Sequence, residues 1–535
     1  MVVSVMSVIS GPVSGGAGAK KWWALGGLTL GVLAVGLDAT VLSVALPTLA
    51  ASLHASATDL QWFVSSYTLA LAVGLLPGGL LGDRFGRKRV MLVTLTVFGA
   101  SSLACAYSPG PGAFIAARTV LGVSAGFMLP LVLSVVAVMF SDEERTKAVG
   151  IWAAANFLAL PLGPILGGWL LSQYWWGWVF LMNIPVVVIG MVAVATLVPE
   201  SRADERPGLD LVGIAASCAG LAVLVYGFIA AGQYGWSSPT AIVAMVAGAG
   251  TLAAFVAWER RLTRRPGGQP LVDLGLFRSA RFTWGTVLQA FGVFAMFGLL
   301  FAAPQFFQAV LGVSAMGSGV RLLPLMAGLA LGAGLADRVS ARLTAKLTTA
   351  LGFALLAVGL VLGSTMTVAS GNEFIAAWTA IAGVGFGLAL ATAASVALVD
   401  LPKASAGVGS AVMQAVQKAG APLSAAILGS VLAAAYRSQL DLAGLPAPAA
   451  SAARSSVFAG LAVARRTGSA QLLGSVRSGF VHGTDAMLWV SAGLAVAGVV
   501  LALAFLPWHT TPGAAPAAAT GEGAEEAESP HERVA

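Results

Sequence analysis

The chain has 535 residues, 58% hydrophobic and only 10% charged, with a formal net charge of +7. Soluble domains are close to half apolar and a quarter charged. This composition, with a mean hydropathy of +0.88, therefore excludes an ordinary soluble protein and points to a polytopic membrane protein. Cys105 and Cys218 both fall inside apolar segments and suggest neither a disulfide framework nor a metal cluster.

In chain order, residues 1–22 read as a loose cytoplasmic tail, because no charge precedes Lys20 and a cleavable signal needs a basic start. Hydropathy then predicts fourteen spans, each about long enough to cross a ~30 Å hydrocarbon core. They lie near 23–48, 59–82, 90–108, 112–139, 148–172, 178–198, 209–231, 239–258, 282–308, 315–336, 345–368, 373–399, 407–435 and 484–507. With the N-terminus inside, most of the 29 Lys and Arg residues fall in inside segments, among them Arg84, Arg87, Lys88, Arg145, Arg202, Arg260, Arg264, Arg338 and Lys403. The outside holds Arg437, Arg454, Arg465, Arg466 and Arg477, all in the last external loop. The basicity thus follows the positive-inside rule, puts both termini in the cytoplasm and calls for no nucleic acid. Trp22, Trp23, Trp62, Trp175, Trp176, Trp178, Trp236 and Trp258 mark span ends, as expected of interfacial indoles.

The charged segments 200–208 and 259–281 divide the spans into six, two and six. The expected layout is an all-α protein with a six-helix bundle over 23–200, an inserted helix pair with its cytoplasmic loop over 201–281, and a second bundle over 282–507. The long external loop 436–483 has helical spacing and is expected to lie on the membrane surface. The acidic, low-complexity tail 508–535 has nothing to bury and is expected to be disordered. GGLLGDRFGRKRV at 78–90 and GAGLADRVSARL at 332–343 form a faint repeat, each placing Asp-Arg just inside the membrane. Internal repeats of this kind mark transporters.

The first repeat is the most specific string. Gly79 and Gly82 let a helix end pack closely, and Gly86 permits a tight turn. Asp83, Arg84, Arg87 and Lys88 supply charges that could pair in one state and part in another, which is the requirement for a cytoplasmic gate. This pattern, G-x-L-x-D-R-x-G-R-K over 79–88, resembles the signature loop of the major facilitator superfamily. LDATVLSVALP (37–47), LQWFVSSYTLALA (60–72), WGWVFLMNIP (176–185) and AGVGSAVMQAVQKAGAPLSAAILGSV (406–431) resemble its fourteen-helix drug:proton antiporter branch. Arg118 with Gly122 and Gly126 matches the family's fourth-helix pattern, and Gly163, Pro164, Gly167 and Gly168 match its antiporter motif. The resemblance implies two bundles rocking around a central cavity in the cytoplasmic membrane, as a monomer. It also implies proton-driven export of a small hydrophobic compound, such as a drug or antibiotic, with no cofactor. A lipid or endogenous metabolite as cargo, or a non-transporting sensor, are the alternatives.

Physically, an aspartate or arginine at membrane depth is expensive and must pair or face water. Asp38 in the first span and Arg118 in the fourth are the expected proton-coupling pair, with a fixed structural ion pair as the other reading. Gly163 and Gly167 share one helix face, suited to close packing. Lys418 stands where relatives usually have an uncharged residue, and Met413 and Gln414 where some have acids. A lysine facing the cavity would disfavour cationic cargo, and one snorkelling to an interface would not. Ser43 and Gly177 also depart from the family pattern. Trp62, Tyr67, Asn156, Gln289, Gln305 and Gln414 are candidate cavity residues. Phe291, Phe294, Phe297 and Phe301 form a stripe at helical spacing that reads first as lipid or core packing. The sequence contains no nucleotide-binding loop, nucleophile elbow or metal-ligand cluster, so it codes for no recognisable enzyme and its energy must come from an ion gradient.

Overall fold

The computed structural model describes residues 16–202, 210–265, 270–272, 274–368, 370–399 and 406–507, and the regular structure among them is helical. The expected tail 508–535 and residues 1–15 lie outside the described residues. The helices are α1 (Gly16–Ser52), α2 (Ala57–Phe85), α3 (Arg87–Ala106), α4 (Pro111–Met139), α5 (Asp142–Gln173), α6 (Trp178–Leu181), α7 (Asn183–Leu197), α8 (Leu211–Tyr234) and α9 (Pro239–Thr263). After a 3₁₀ turn at Leu274–Arg278 come α10 (Ala280–Ala309), α11 (Ala315–Arg321), α12 (Leu323–Leu343), α13 (Ala345–Gly363), α14 (Asn372–Val399), α15 (Ala406–Ser438), α16 (Ala447–Ser455), α17 (Val457–Thr467) and α18 (Ala470–Phe505).

Among the described residues, 12 helices are long and apolar enough to cross a membrane. A thirteenth is the pair Ala57–Leu75 and Pro77–Phe85, bent by 48° at the residue before Pro77, where proline removes a backbone hydrogen bond. The expected span 148–172 falls within the 32-residue α5, which is not among these helices. The spans expected at 178–198 and 315–336 are each built from two helices in series, α6 with α7 and α11 with α12.

The external segment 436–483 differs from expectation. Two short helices, α16 and α17, fold back on the protein, and 470–483 continues directly into α18. Val457, Leu461 and Ala464 of α17 are buried in the core of the second bundle, which explains the apolar spacing that had read as a membrane-surface helix. Tyr436 ties the segment down, its hydroxyl donating to the Ala453 carbonyl at 2.9 Å. Two of the expected interfacial indoles also differ. Trp176 is buried in the first bundle, and Trp62 packs against Val225, Ile229 and Ala426.

One core gathers residues from α1–α7 and a second from α10–α18. In lipid, helices associate through close van der Waals packing rather than a hydrophobic gradient, so small residues set the contacts. A Cβ on Gly122 or Gly126 of α4 would run into the Tyr67 and Leu71 carbonyls of α2. In the second bundle, one on Gly383 or Gly387 of α14 would strike the Leu325 and Leu329 carbonyls of α12. The two bundles therefore repeat one glycine-mediated pair. The repeat extends to the turn that follows: Gly86 after α2 has φ 106°, and Thr344 after α12 has φ 85°. The inserted pair α8–α9 packs through α8 against both α2 and α15, and so covers one seam between the bundles.

Candidate functional site

Asp38 and Arg118 meet inside the first bundle. Arg118 Nη1 donates to Asp38 Oδ2 at 2.5 Å, and both side chains are sealed from solvent. The arginine is further held by its Nε, which donates to the Phe63 carbonyl at 3.3 Å. Its guanidinium lies 4.1 Å from the centre of the Tyr67 ring, a distance at which the ring's quadrupole attracts the cation. Tyr67 is itself fixed by a hydrogen bond from its hydroxyl to the Val35 carbonyl at 3.2 Å. On the other side Asn183 Nδ2 reaches Asp38 Oδ1 at 3.5 Å and Ser102 Oγ at 3.0 Å. Of the two alternatives for Arg118, facing water or pairing, the structure realises pairing. A sealed carboxylate can exchange a proton only after α1, α2 or α4 shifts.

The loop 83–89 is anchored within its own bundle. Arg87 Nε donates to Asp83 Oδ1 at 2.9 Å. The Arg87 amide donates to the Ser201 carbonyl at 2.8 Å, and Lys88 Nζ to the Ala195 carbonyl at 2.7 Å. Glu200 accepts from the Lys88 amide at 3.3 Å and pairs with Arg89 at 3.7 Å. Gly86 lies against Glu200, leaving no room for a side chain, and its positive φ favours glycine. Gly79 meets only Pro130 at an ordinary distance, and the Arg84 guanidinium lies 5.7 Å from the centre of the Phe85 ring. Lys21 closes the same face by donating to Glu144 at 2.6 Å. The hydrogen bond from Lys21 holds the Glu144 carboxyl below its ordinary range, so this clamp between α1 and α5 stays charged as pH falls toward that range.

The antiporter glycines do two different jobs. A side chain on Gly163 would collide with the Thr40 hydroxyl, and one on Gly167 would lie 2.7 Å from Val41 Cγ1, both on α1 of the same bundle. Thr40 Oγ1 also donates to the Ala159 carbonyl at 3.1 Å. Gly168 and Pro164 instead face the other bundle. A Cβ on Gly168 would lie 2.7 Å from Met316 Cα, and Gly319 abuts the Pro164 carbonyl. Gln308 Nε2 adds a bond across the seam to the Val44 carbonyl at 3.1 Å. These contacts sit toward the end of α5 opposite the Lys21–Glu144 pair.

The remaining candidates scatter. Gln305 is buried and donates to the Phe301 carbonyl of its own helix at 2.9 Å, which engages one of its two amide hydrogens. Gln289 joins α10 to α15, accepting from Gln417 Nε2 at 3.3 Å. Gln414 is half-buried on α15. The Asn156 side chain lies outside the described residues. Lys418 is half-buried on α15. Among the described residues it has no carboxylate partner.

Residues 28–220 and 208–425 match the sequence profile of the Major Facilitator Superfamily. The chain belongs to this superfamily. It is 34% identical over 496 residues to the multidrug efflux pump LfrA of Mycolicibacterium smegmatis, covering 90% of this chain and 96% of that one. It is 32% identical over 423 residues to the tetracenomycin C resistance and export protein of Streptomyces glaucescens, covering 79% and 78%. The fold is shared with an inward-facing bacterial homologue of the human lysosomal transporter Spinster. There the TM-score is 0.63, identity is 16%, and coverage is 90% of this chain and 98% of that one. A D-xylose–proton symporter has a TM-score of 0.58 at 16% identity, covering 91% and 98%.

Within a superfamily transporter, the Asp83–Arg87 pair allows a direct check of gating. As a static, partly exposed pair it is worth about 0.2–1 kcal/mol, which caps the effect of its loss near fivefold. If Asp83 gates the cycle, Asp83→Asn is expected to slow turnover by more than that while leaving the cargo Kd unchanged. Turnover and Kd are measured on the same proteoliposomes; a change within fivefold reduces Asp83 to a local brace.

Proposed function

We propose that this chain is a proton-coupled antiporter that exports hydrophobic organic compounds, drugs or antibiotics, across the cytoplasmic membrane by alternating access. The observation that carries this reading is the sealed Asp38–Arg118 pair: a carboxylate at membrane depth, gripped by a guanidinium, in a chain with no nucleotide site. Relatives named for drug efflux and antibiotic export support the cargo class. The protein would work as a monomer, with both termini in the cytoplasm and no cofactor. When Asp38 takes up a proton from outside, its hold on Arg118 weakens, and the helices that carry the pair can move relative to one another. Release of the proton inside restores the pair. In the state described, the external seam is closed by Gly168, Gly319 and Gln308, and Asp83 stays with Arg87 in its own bundle.

The test is cargo-induced proton release from proteoliposomes across a panel of drugs, lipids and metabolites. Proton flux with hydrophobic drugs is the expected result, and flux with none of the panel rejects transport of these classes.

Lys418 favours one refinement. A cationic side chain half-buried on α15, with no salt-bridged carboxylate among the described residues, would select against cations and toward neutral or anionic cargo where the transport path passes it. Lys418→Glu is expected to shift the exported panel toward cations by at least tenfold in relative kcat/KM, the size of a single charge contact worth about 1.4 kcal/mol. An unchanged panel would mean that cargo never meets the ammonium group.

A further inference from the structure

A cavity of about 550 Å³ lies where α2, α8, α9, α10 and α15 converge. Val73, Leu221, Phe255, Phe291, Phe294 and Leu423 are among the apolar residues of its wall, and Ser217 is its one polar lining residue. The volume is in the range of about 300–1,000 Å³ typical of small-ligand sites. Two residues of the phenylalanine stripe therefore face an apolar hollow, while Phe301 is buried in the protein core. Leu271 and Val272 of the cytoplasmic loop close one end, so the cavity belongs to the cytoplasmic half of the membrane.

Val256 lines this cavity and also a second surface hollow, built on the same α9 by Ala253, Ala257, Arg260, Arg261, Arg264 and Arg265. The four arginines are exposed, at the cytoplasmic end of a membrane helix, and none forms an ion pair with a carboxylate among the described residues. Guanidinium groups match phosphate oxygens bidentately, and basic pockets beside membrane helices on the cytoplasmic side recognise anionic head groups. An apolar cavity and a phosphate-binding surface that share one wall, both at the level of one leaflet, are the two halves of a phospholipid site.

We propose that an anionic phospholipid of the cytoplasmic leaflet binds here, its phosphate on Arg260, Arg261, Arg264 and Arg265 and an acyl chain in the cavity. The inserted pair provides the seat. Because α2 belongs to the first bundle and α10 and α15 to the second, the chain of such a lipid touches both, and its affinity must differ between states if their separation changes. The site does not depend on what the transporter exports, and a transporter that failed every cargo test would still carry it.

The experiment measures phosphatidylglycerol and phosphatidylcholine retained per purified full-length protein after delipidation and incubation with mixed vesicles, read by native mass spectrometry. The expected result is selective retention of about one phosphatidylglycerol. Changing the four arginines to glutamine should cut retention at least roughly tenfold, since each basic residue at an anionic surface contributes measurably, and changing them to lysine, which keeps the charge without the bidentate fork, should leave an intermediate retention. Ala419→Phe, which fills the cavity, should lower retention with the arginines intact, and inorganic phosphate should not displace the lipid. Three results would overturn the proposal: equal retention of both lipids, retention that survives loss of the four arginines, or Ala419→Phe altering cargo affinity while leaving phosphatidylglycerol bound as before. The last would assign the cavity to cargo entry.

Discussion

Asp38→Asn is expected to abolish cargo accumulation driven by a pH gradient, by at least ~100-fold. Removing one member of a buried ion pair leaves the other uncompensated, at about 3–5 kcal/mol, and each 1.4 kcal/mol is a factor of ten. Asparagine can still accept hydrogen bonds where Asp38 does, but it cannot neutralise an arginine held by Phe63 and Tyr67. A structural brace and a proton carrier both predict damage from this change, so the single variant must be read beside two others. Asp38→Asn combined with Arg118→Gln removes both charges, and such paired removals are often neutral or stabilising for the fold. That double variant should recover folded yield and thermal stability, and should exchange cargo down a gradient, but should not accumulate it against one. Asp38→Glu keeps the carboxylate and should retain partial coupling with a shifted pH profile. Normal uphill transport by the double variant would remove the pair from the mechanism and leave it as packing.

Much of the membrane architecture was legible because it rests on one-dimensional rules. Apolar length and the side on which Lys and Arg accumulate place helices without knowledge of their neighbours. Asp38 and Arg118 stood out for the same reason, since charges at membrane depth must find each other. What the sequence could not supply was anything set by which face of a helix meets which partner. Gln305 reads as a polar residue of the span, and only the structure shows that one of its amide hydrogens is held by the Phe301 carbonyl of its own helix. Trp62 reads as interfacial until α8 is packed over it. The segment 436–483 has the apolar spacing of a surface helix because burying Val457 and Leu461 in a bundle needs the same spacing as burying them in lipid. Glu200 went unnoticed because its role depends on the chain returning beside Gly86, more than 100 residues away in sequence. Carboxylates at the base of the inserted pair were likewise passed over: Asp210 accepts from Trp258 Nε1 at 3.1 Å, and buried Glu259 accepts from the Val272 amide at 3.1 Å. Asn183 was visible only as a polar residue in a motif; its position between Asp38 and Ser102 is a fact of three helices.

The antiporter glycines give the second large effect, because two residues of one motif should fail in opposite ways. Gly163 packs on Thr40 within its own bundle, a contact that persists however the bundles move. Gly163→Val is an overpacking substitution, costing about 1–3 kcal/mol, in every state of the cycle, and should appear as lost thermal stability and folded yield. Gly168 packs on Met316 and Ala315 of the other bundle, a contact that exists only while the external seam is closed. Gly168→Val therefore places the same cost on one state alone and should shift the population toward an outward-open form by about 5- to 150-fold, with little change in unfolding. Val44 reports on this directly, since its side chain is buried in the second bundle's core and its carbonyl accepts from Gln308 across the seam. In a background with Cys105 and Cys218 replaced, Val44→Cys should react slowly with a membrane-impermeant thiol reagent added outside. Adding Gly168→Val should raise that rate at least tenfold, whereas adding Gly163→Val should not. If both glycine variants destabilise equally and neither changes labelling, the motif is packing alone and the external seam does not open along α5 and α11.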